Sequence, residues 1–216
     1  MQQMVADQRK VAERQAQVAL DRARAASVDV RSVIRQAPAA YSVIDAAAAA
    51  DLVIMGQPNP DATPAGDPSL PADVILGCGR PVLCVPYAGD HRNAGRRIMV
   101  AWNGTAPSAR AVHDALPLLV AADQVIVTSV GDLPEGKVGL AGLVEHLGRH
   151  GVKAVAKPLP ATSSDAGSII LGAVSDTGAD LLVMGAYGHS RMREFVLGGT
   201  SKTIIQSMTV PVLLSH

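Results

Sequence analysis

Apolar positions along this chain follow two different periods, which predict strands alternating with helices. Short continuous apolar runs bounded by Gly, Asn or Asp are typical of buried parallel strands, and apolar residues spaced three or four apart are typical of helices. In the second half of the chain, strands are predicted at residues 97–102, 124–130, 153–157, 181–184 and 210–214, and helices at 107–121, 140–150, 163–177 and 200–208. Ser163 or Ser164 is the expected cap of the third helix. The alternation predicts an α/β, Rossmann-like fold: a parallel five-stranded sheet with helices on both faces.

The first half of the chain repeats part of this pattern. The segment Asp-Leu-Val-Ile-Met-Gly at 51–56 closely resembles residues 180–185, and residues 80–85 resemble 210–214 in the same order. Such self-similarity predicts an internal duplication. We therefore expect residues 1–90 to be a partial, degenerate copy, 91–96 a linker and 97–216 a complete copy. The first copy should contain a helix at 5–26, a strand at 28–35, a helix at 41–49 and strands at 52–55 and 82–85, without counterparts of the first two strands.

Composition removes several classes of function. Basic and acidic residues balance at 19 each, and only one Trp, one Phe and three Tyr are present, so nucleic-acid binding is not expected. No apolar run reaches the roughly 20 residues of a membrane helix, and the polar N-terminus shows no secretory signal. We expect a cytoplasmic protein in which Cys78 and Cys84 are small core residues.

Candidate chemistry lies in the loop that follows the apolar run 181–184. Glycines at 185, 188, 198 and 199 frame this loop and the start of the next helix. Glycine allows the backbone to approach a ligand closely, and a helix N-terminus presents free N–H groups to a phosphate. The pattern predicts a phosphate-binding loop. The alternative is that these glycines serve only tight turns.

The spacing Gly-x2-Gly-x9-Gly from Gly185 to Gly198, with the opening run 97–105 and the closing run 210–214, resembles the universal stress protein family. The resemblance extends over nearly the whole chain and implies binding of ATP or a related adenine nucleotide, with or without Mg²⁺. Carried over by position, it implies a site whose residues fall into three groups. Ala101, Asn103 and Val130 would border adenine and ribose, Met184 and Gly185 the sugar–phosphate path, and Gly188, Gly198, Gly199 and Thr200 the phosphates.

Two departures from the family pattern fall within this implied site. Asn103 stands where the family carries an acid, and Gly199 stands where a Ser or Thr is expected, with Thr200 one place later. In the first copy, Pro58 lacks a backbone donor and the second glycine is absent. We therefore expect only the second copy to bind nucleotide.

Two other motifs are weaker evidence for a functional site. Residues 131–138 nearly spell a P-loop, but Val138 replaces the Ser or Thr that binds magnesium and Pro134 lacks an N–H, so a plain loop is expected. His146 and His150 have metal-ligand spacing on a helix. No third ligand is suitably placed in the sequence, and a solvated helix face is expected. No catalytic constellation is recognisable, so at most slow ATP hydrolysis is expected.

The family resemblance implies a stress-response protein in which the bound nucleotide gates the binding of an unidentified protein partner. The alternative is an interaction protein of the same fold that has lost nucleotide binding, which Asn103 and Gly199 favour. In single-domain members of the family the closing strand mediates dimers. The strands at 82–85 and 210–214 are therefore expected to pair with each other as an intramolecular pseudo-dimer, and a homodimer is a further expectation.

Overall fold

The computed structural model of the protein describes residues 2–61, 67–187 and 199–216. The chain divides into two compact units, Met1–Ser42 and Val43–His216. The first holds helix α1 (Gln2–Ala25) and the start of helix α2 (Ala39–Ala47), which agree with the predicted helices. Within the described ranges, no helix combines the length and apolar character needed to cross a bilayer.

The strand predicted at residues 28–35 is wrong. These residues adopt no regular structure, and Val28, Val30, Val33 and Ile34 are exposed. A strand is held by hydrogen bonds to a neighbouring strand, and none of the strand pairs in the described chain includes this segment. An alternating apolar pattern without a partner is therefore not enough to form a strand.

The second unit contains the rest of α2 and all seven strands. Its further elements are β1 (Val53–Gly56), α3 (Leu70–Gly77), β2 (Val82–Val85), β3 (Arg97–Ala101), α4 (Ala106–Asp114), α5 (Leu116–Ala121), β4 (Gln124–Thr128), α6 (Leu140–Arg149), β5 (Ala154–Ala156), α7 (Ala166–Thr177), β6 (Leu181–Gly185), α8 (Gly199–Ser207) and β7 (Val212–Ser215). The predicted alternation of strands and helices is confirmed.

These strands form one sheet in the order β1-β2-β7-β6-β3-β4-β5. The five strands from β7 to β5 are all parallel, which confirms the predicted five-stranded parallel sheet. Strands β1 and β2 are also parallel to each other, whereas β2 and β7 pair antiparallel, with Cys84 opposite Val212. The predicted pairing of the two closing strands is therefore confirmed. That the segments β1-α3-β2 and β6-α8-β7 are copies, and that domain boundaries lie at 90 and 97, stay predictions.

Each face of the sheet carries its own apolar core. On β3, Ile98 and Val100 belong to a cluster with residues of α4, α5 and α6, while Met99 between them belongs to a cluster with residues of α3, α7 and α8. Successive strand residues point to opposite faces, so one apolar run serves both cores. Helices on both faces are confirmed, as is the burial of Cys78 and Cys84.

Two helix boundaries differ from the prediction. The helix expected at 107–121 is interrupted at Ala115, between α4 and α5. Pro117, in the first turn of α5, has no N–H with which to continue the hydrogen-bond ladder of α4. The cap of α7 is Asp165 rather than Ser163 or Ser164, because its carboxylate accepts from the backbone N–H groups of Gly167 and Ser168.

The residue that follows β1 connects this strand to the end of α8. Gln57 is buried, and its Nε2 donates to the carbonyls of Ile205 and Gln206 at 2.8 and 3.1 Å. Its Oε1 accepts from the backbone N–H of Tyr87 at 3.4 Å. The last carbonyls of a helix have no partner within the helix. The amide of Gln57 therefore pairs with two of these carbonyls, one of which belongs to buried Ile205.

Replacing Gln57 tests this connection. We expect Gln57→Ala to lower the free energy of unfolding by about 1–3 kcal/mol, because the carbonyl of buried Ile205 loses its donor. Urea denaturation measures the change. Gln206→Ala, on the exposed side of α8, is the matched control and should change stability by less than about 0.5 kcal/mol. Equal effects of the two variants would contradict the assigned role of Gln57.

Candidate functional site

A cavity lies at the carboxyl ends of β3, β4 and β6, beside the first turn of α8, and has a volume of about 250 Å³. The chain passes from β3 to β4 on one side, whereas β6 lies on the other side of β3. Open α/β sheets bind ligands where the strand order reverses in this way. The residues that line the cavity are Ala101, Trp102, Asn103, Thr128, Ser129, Val130, Leu133, Ala166, Ile170, Met184, Gly185, Tyr187, Gly199, Thr200 and Ser201.

The fold brings together most of the site residues that the family resemblance implies. Those found in the cavity wall are Ala101, Asn103, Val130, Met184, Gly185, Gly199 and Thr200. Gly188 and Gly198 lie outside the described residues. The shared location agrees with the resemblance, while the role of each residue in binding stays a prediction.

The peptide groups of Val130 are available to a ligand. Val130 forms an isolated parallel bridge with Leu159, in which the carbonyl of Ser129 accepts from Leu159 at 2.8 Å and the N–H of Gly131 donates to Leu159 at 2.9 Å. Because its two neighbours make the bonds to Leu159, the N–H and C=O of Val130 point to the other side. In the described chain neither group has a hydrogen-bond partner. An adjacent donor and acceptor therefore face the position that β3 would occupy if it were longer.

The Oδ1 atom of the Asn103 side-chain amide is fixed by the turn into α4. Its Oδ1 accepts from the backbone N–H of Thr105 at 3.2 Å and from the Thr105 hydroxyl at 2.7 Å. Thr105 is the N-cap of α4, and Ser108 completes a capping box with it. The Nδ2 of Asn103 has no partner among the described residues. The side chain thus offers a hydrogen-bond donor to a ligand.

Gly185 is explained by packing within the fold. A Cβ at this position would lie 2.3 Å from the backbone nitrogen of Ser108 and 2.5 Å from the carbonyl carbon of Pro107. No side chain fits at such distances, so the glycine lets the start of α4 lie directly against the end of β6. At Gly199, by contrast, a Cβ would meet no atom within 4 Å.

Tyr187 lines the cavity, although no sequence motif singled it out. Its φ is 55°, an unusual left-handed conformation for a large residue. Its backbone N–H donates to the Ser201 hydroxyl at 3.3 Å, which ties the end of β6 to the first turn of α8. Burial, with smaller contributions from Cys84 and Asp73, raises the pKa of the Tyr187 hydroxyl to about 12. Tyr187 is therefore neutral at physiological pH.

The side chains in the described part of the cavity wall do not fit a magnesium ion. Mg²⁺ in nucleotide sites is held by one or two carboxylates together with phosphate oxygens. None of the described residues that line the cavity is Asp or Glu. The described residues also contain no group of three or more His, Cys, Asp or Glu able to hold a metal ion.

The histidine pair on α6 has a third member that the sequence did not indicate. His113 of α4 lies beside His146, with ring centroids 5.5 Å apart, and the rings of His146 and His150 are 4.9 Å apart. The expected solvated face is correct for His150, which is exposed, but wrong for His146. The Nε2 of His146 is buried and has no hydrogen-bond partner among the described residues.

Comparisons with known proteins agree on one family. A sequence model of the universal stress protein family matches residues 95–216. A universal stress protein from Synechocystis sp. is 47% identical over 38 residues, which amount to 18% of this chain and 13% of that protein. The match thus spans only a small part of that relative.

Solved structures share the fold. A universal stress protein from Archaeoglobus fulgidus has a TM-score of 0.78 at 18% identity, covering 100% of this chain and 79% of that one. A protein of unknown function from Pseudomonas aeruginosa PAO1 has a TM-score of 0.61 at 14% identity, covering 94% of this chain and 77% of that one. At these identities the likeness shows the common fold.

The close contact at Gly185 gives a first prediction for this region. We expect Gly185→Ala to destabilise the protein by about 3 kcal/mol or more, because the new methyl group must displace the backbone of α4. Thermal or urea denaturation measures the loss. Gly172→Ala is the control, since a Cβ in that helical position meets nothing within 4 Å. It should leave stability unchanged or raise it by up to about 1 kcal/mol. A fully stable Gly185→Ala protein would contradict the packing explanation.

The histidine contacts predict a dependence of stability on pH. Burial, followed by repulsion from His150, His113 and Arg149, lowers the pKa of His146 below its ordinary 6.5. The unfolded chain therefore takes up a proton on His146 at a higher pH than the folded one. The stability that neutral His146 contributes is complete above about pH 6.5 and is lost as the pH falls.

Urea denaturation at pH 7.5 and pH 5.5 measures this effect. We expect His146→Gln to lose less stability between these two pH values than the parent does. His91→Gln, which replaces a histidine whose ring contacts the carbonyl of Ala88, should keep the full pH dependence of the parent. An unchanged pH dependence in His146→Gln would show that His146 does not carry it.

Proposed function

The chain belongs to the universal stress protein family, and on that premise we propose that its cavity binds an adenine nucleotide, with ATP the first ligand to test. The unpaired peptide groups of Val130 are the observation that carries this proposal. The Watson–Crick edge of adenine presents an amino donor next to a ring-nitrogen acceptor. The adjacent C=O and N–H of Val130 are complementary to that pair.

The first turn of α8 supplies the second half of the proposed site. Gly199, Thr200 and Ser201 line the same cavity as Val130 and stand at the start of the helix. The N–H groups of a first helical turn have no partner within the helix, and the helix dipole favours negative charge there. We therefore assign the base to the end of β4 and the phosphates to the start of α8.

In this proposal the nucleotide acts as a regulator of protein interaction. A ligand shifts a protein between two conformations only if it binds one of them more tightly. Tyr187 and Ser201 join β6 to α8 at the cavity wall, so a ligand at this wall contacts both elements and can favour one arrangement. The described lining residues include no carboxylate or histidine to serve as a general base, so we propose a binding rather than a catalytic role.

An interaction protein without nucleotide binding is the second candidate. A cavity of about 250 Å³ is smaller than the 300–1,000 Å³ of most small-molecule sites, and this observation favours the second candidate. Titration with ATP separates the two proposals.

Thr200→Asp tests the assignment of the phosphates. An acid in the first turn favours the helix, so the variant should fold as the parent does. Its charge would repel a bound phosphate, and we expect the affinity for ATP to fall by at least about tenfold. Isothermal titration calorimetry of the parent and the variant measures this difference.

Ala141→Asp is the matched control, because it places the same acid in the first turn of α6, at an exposed position outside the cavity wall. It should bind ATP as the parent does. Asn59→Ala, in the first copy, should also leave binding unchanged. Equal affinity in the parent and in Thr200→Asp would refute the assignment of the phosphates, and no binding by the parent would favour the interaction protein.

A further inference from the structure

The described part of the cavity wall is mostly apolar, and none of its polar side chains carries a formal charge. Its side chains with polar atoms are those of Trp102, Asn103, Thr128, Ser129, Tyr187, Thr200 and Ser201. Nucleotide sites commonly balance phosphate charge with Lys, Arg or a metal ion. The described wall therefore has neutral donors where charge would be expected for an anionic ligand.

Two carboxylates on elements beside the cavity are engaged within the fold, and a third, Asp132, is exposed and does not line the cavity. Asp165 precedes Ala166 of the wall, but its side chain accepts from backbone and hydroxyl groups in the first turn of α7. Asp114 accepts from the Ser215 hydroxyl at 2.7 Å. Using either as a metal ligand would remove hydrogen bonds that the fold uses, so neither is a ready ligand for a cation.

Asn103 determines the charge and the hydrogen-bonding groups of the cavity wall at the end of β3. Its Oδ1 is held by Thr105, which leaves Nδ2, a donor, for the ligand. An aspartate would make the same two contacts with one oxygen and present a second, negatively charged oxygen in place of Nδ2. The choice between amide and carboxylate at this position therefore changes the charge of the site while preserving the turn.

We propose that the cavity binds the phosphates of its nucleotide through neutral hydrogen-bond donors, without Mg²⁺, and that Asn103 is the residue that determines this preference. The inference rests on the proposed function. Phosphate oxygens accept strong, charge-assisted hydrogen bonds from neutral N–H groups. Because the described lining includes no carboxylate, a divalent cation gains no protein ligand from it and only neutralises the phosphates that these donors bind.

Calorimetric titration with ATP in EDTA and in excess Mg²⁺ tests the proposal. The parent should bind in both conditions, with a dissociation constant in EDTA no more than about threefold above that in Mg²⁺. Asn103→Asp should bind ATP about tenfold or more weakly in EDTA, because it adds a negative charge to the wall of the cavity that holds the phosphates. Mg²⁺ should restore part of that loss, because the new carboxylate would give the cation a protein ligand in the cavity.

Asn93→Asp is the matched control, since it makes the same change of charge at an exposed position outside the cavity wall. It should behave as the parent does. Binding by the parent only in Mg²⁺ would overturn the inference and leave the proposed function standing, whereas no binding in either condition would overturn the proposed function itself. Equal ATP affinities of Asn103→Asp and Asn93→Asp in both conditions would show that Asn103 does not determine the preference for binding without Mg²⁺. The comparison of EDTA with Mg²⁺ in the parent does not depend on any variant folding.

Discussion

The close approach of α4 to the end of β6 is the constraint on which the candidate site depends. The backbone at Pro107 and Ser108 lies so near Gly185 that no Cβ fits between them. This contact sets the distance between the turn after β3, which carries Asn103, and the chain leaving β6 toward α8. A larger residue at 185 would separate these two walls. The glycine therefore defines the shape of the cavity even if it never touches a ligand.

Recognition in the proposed site would depend mainly on backbone groups. The N–H and C=O of Val130 are free because β3 ends before it could pair with them, and the N–H groups of α8 are free because every helix begins with unpaired donors. Such groups come with the fold and do not require particular side chains. This explains how a wall without charged side chains in its described part could still bind an anionic nucleotide. Side chains such as Asn103 would then adjust which form of the ligand is preferred.

The segment β1-α3-β2 has a structural role in this arrangement. Its strands β1 and β2 extend the sheet beyond β7, and Gln57 satisfies the last carbonyls of α8. After β6 the chain continues to Tyr187 of the cavity wall, whereas the residue after β1 is Gln57, whose buried side chain bonds to α8. The segment β6-α8-β7 thus borders the cavity, whereas the segment β1-α3-β2 supports α8 through Gln57.

The sequence by itself determined the strands and most helices of the second unit. Strands such as β3 and β6 are buried on both faces, which forces continuous apolar runs that can be read directly. The family resemblance, carried over by position, then implied Ala101, Asn103, Val130 and Met184 at the ends of those strands. Tertiary structure decided the features that depend on contacts between segments distant in the sequence. Residues 28–35 have a strand-like pattern but no neighbouring strand, and His146 is half-buried because α4 brings His113 to it. The free peptide groups of Val130 follow from how its neighbours pair with Leu159. Hydrogen bonds between segments distant in sequence leave no local pattern, so only the folded chain reveals them.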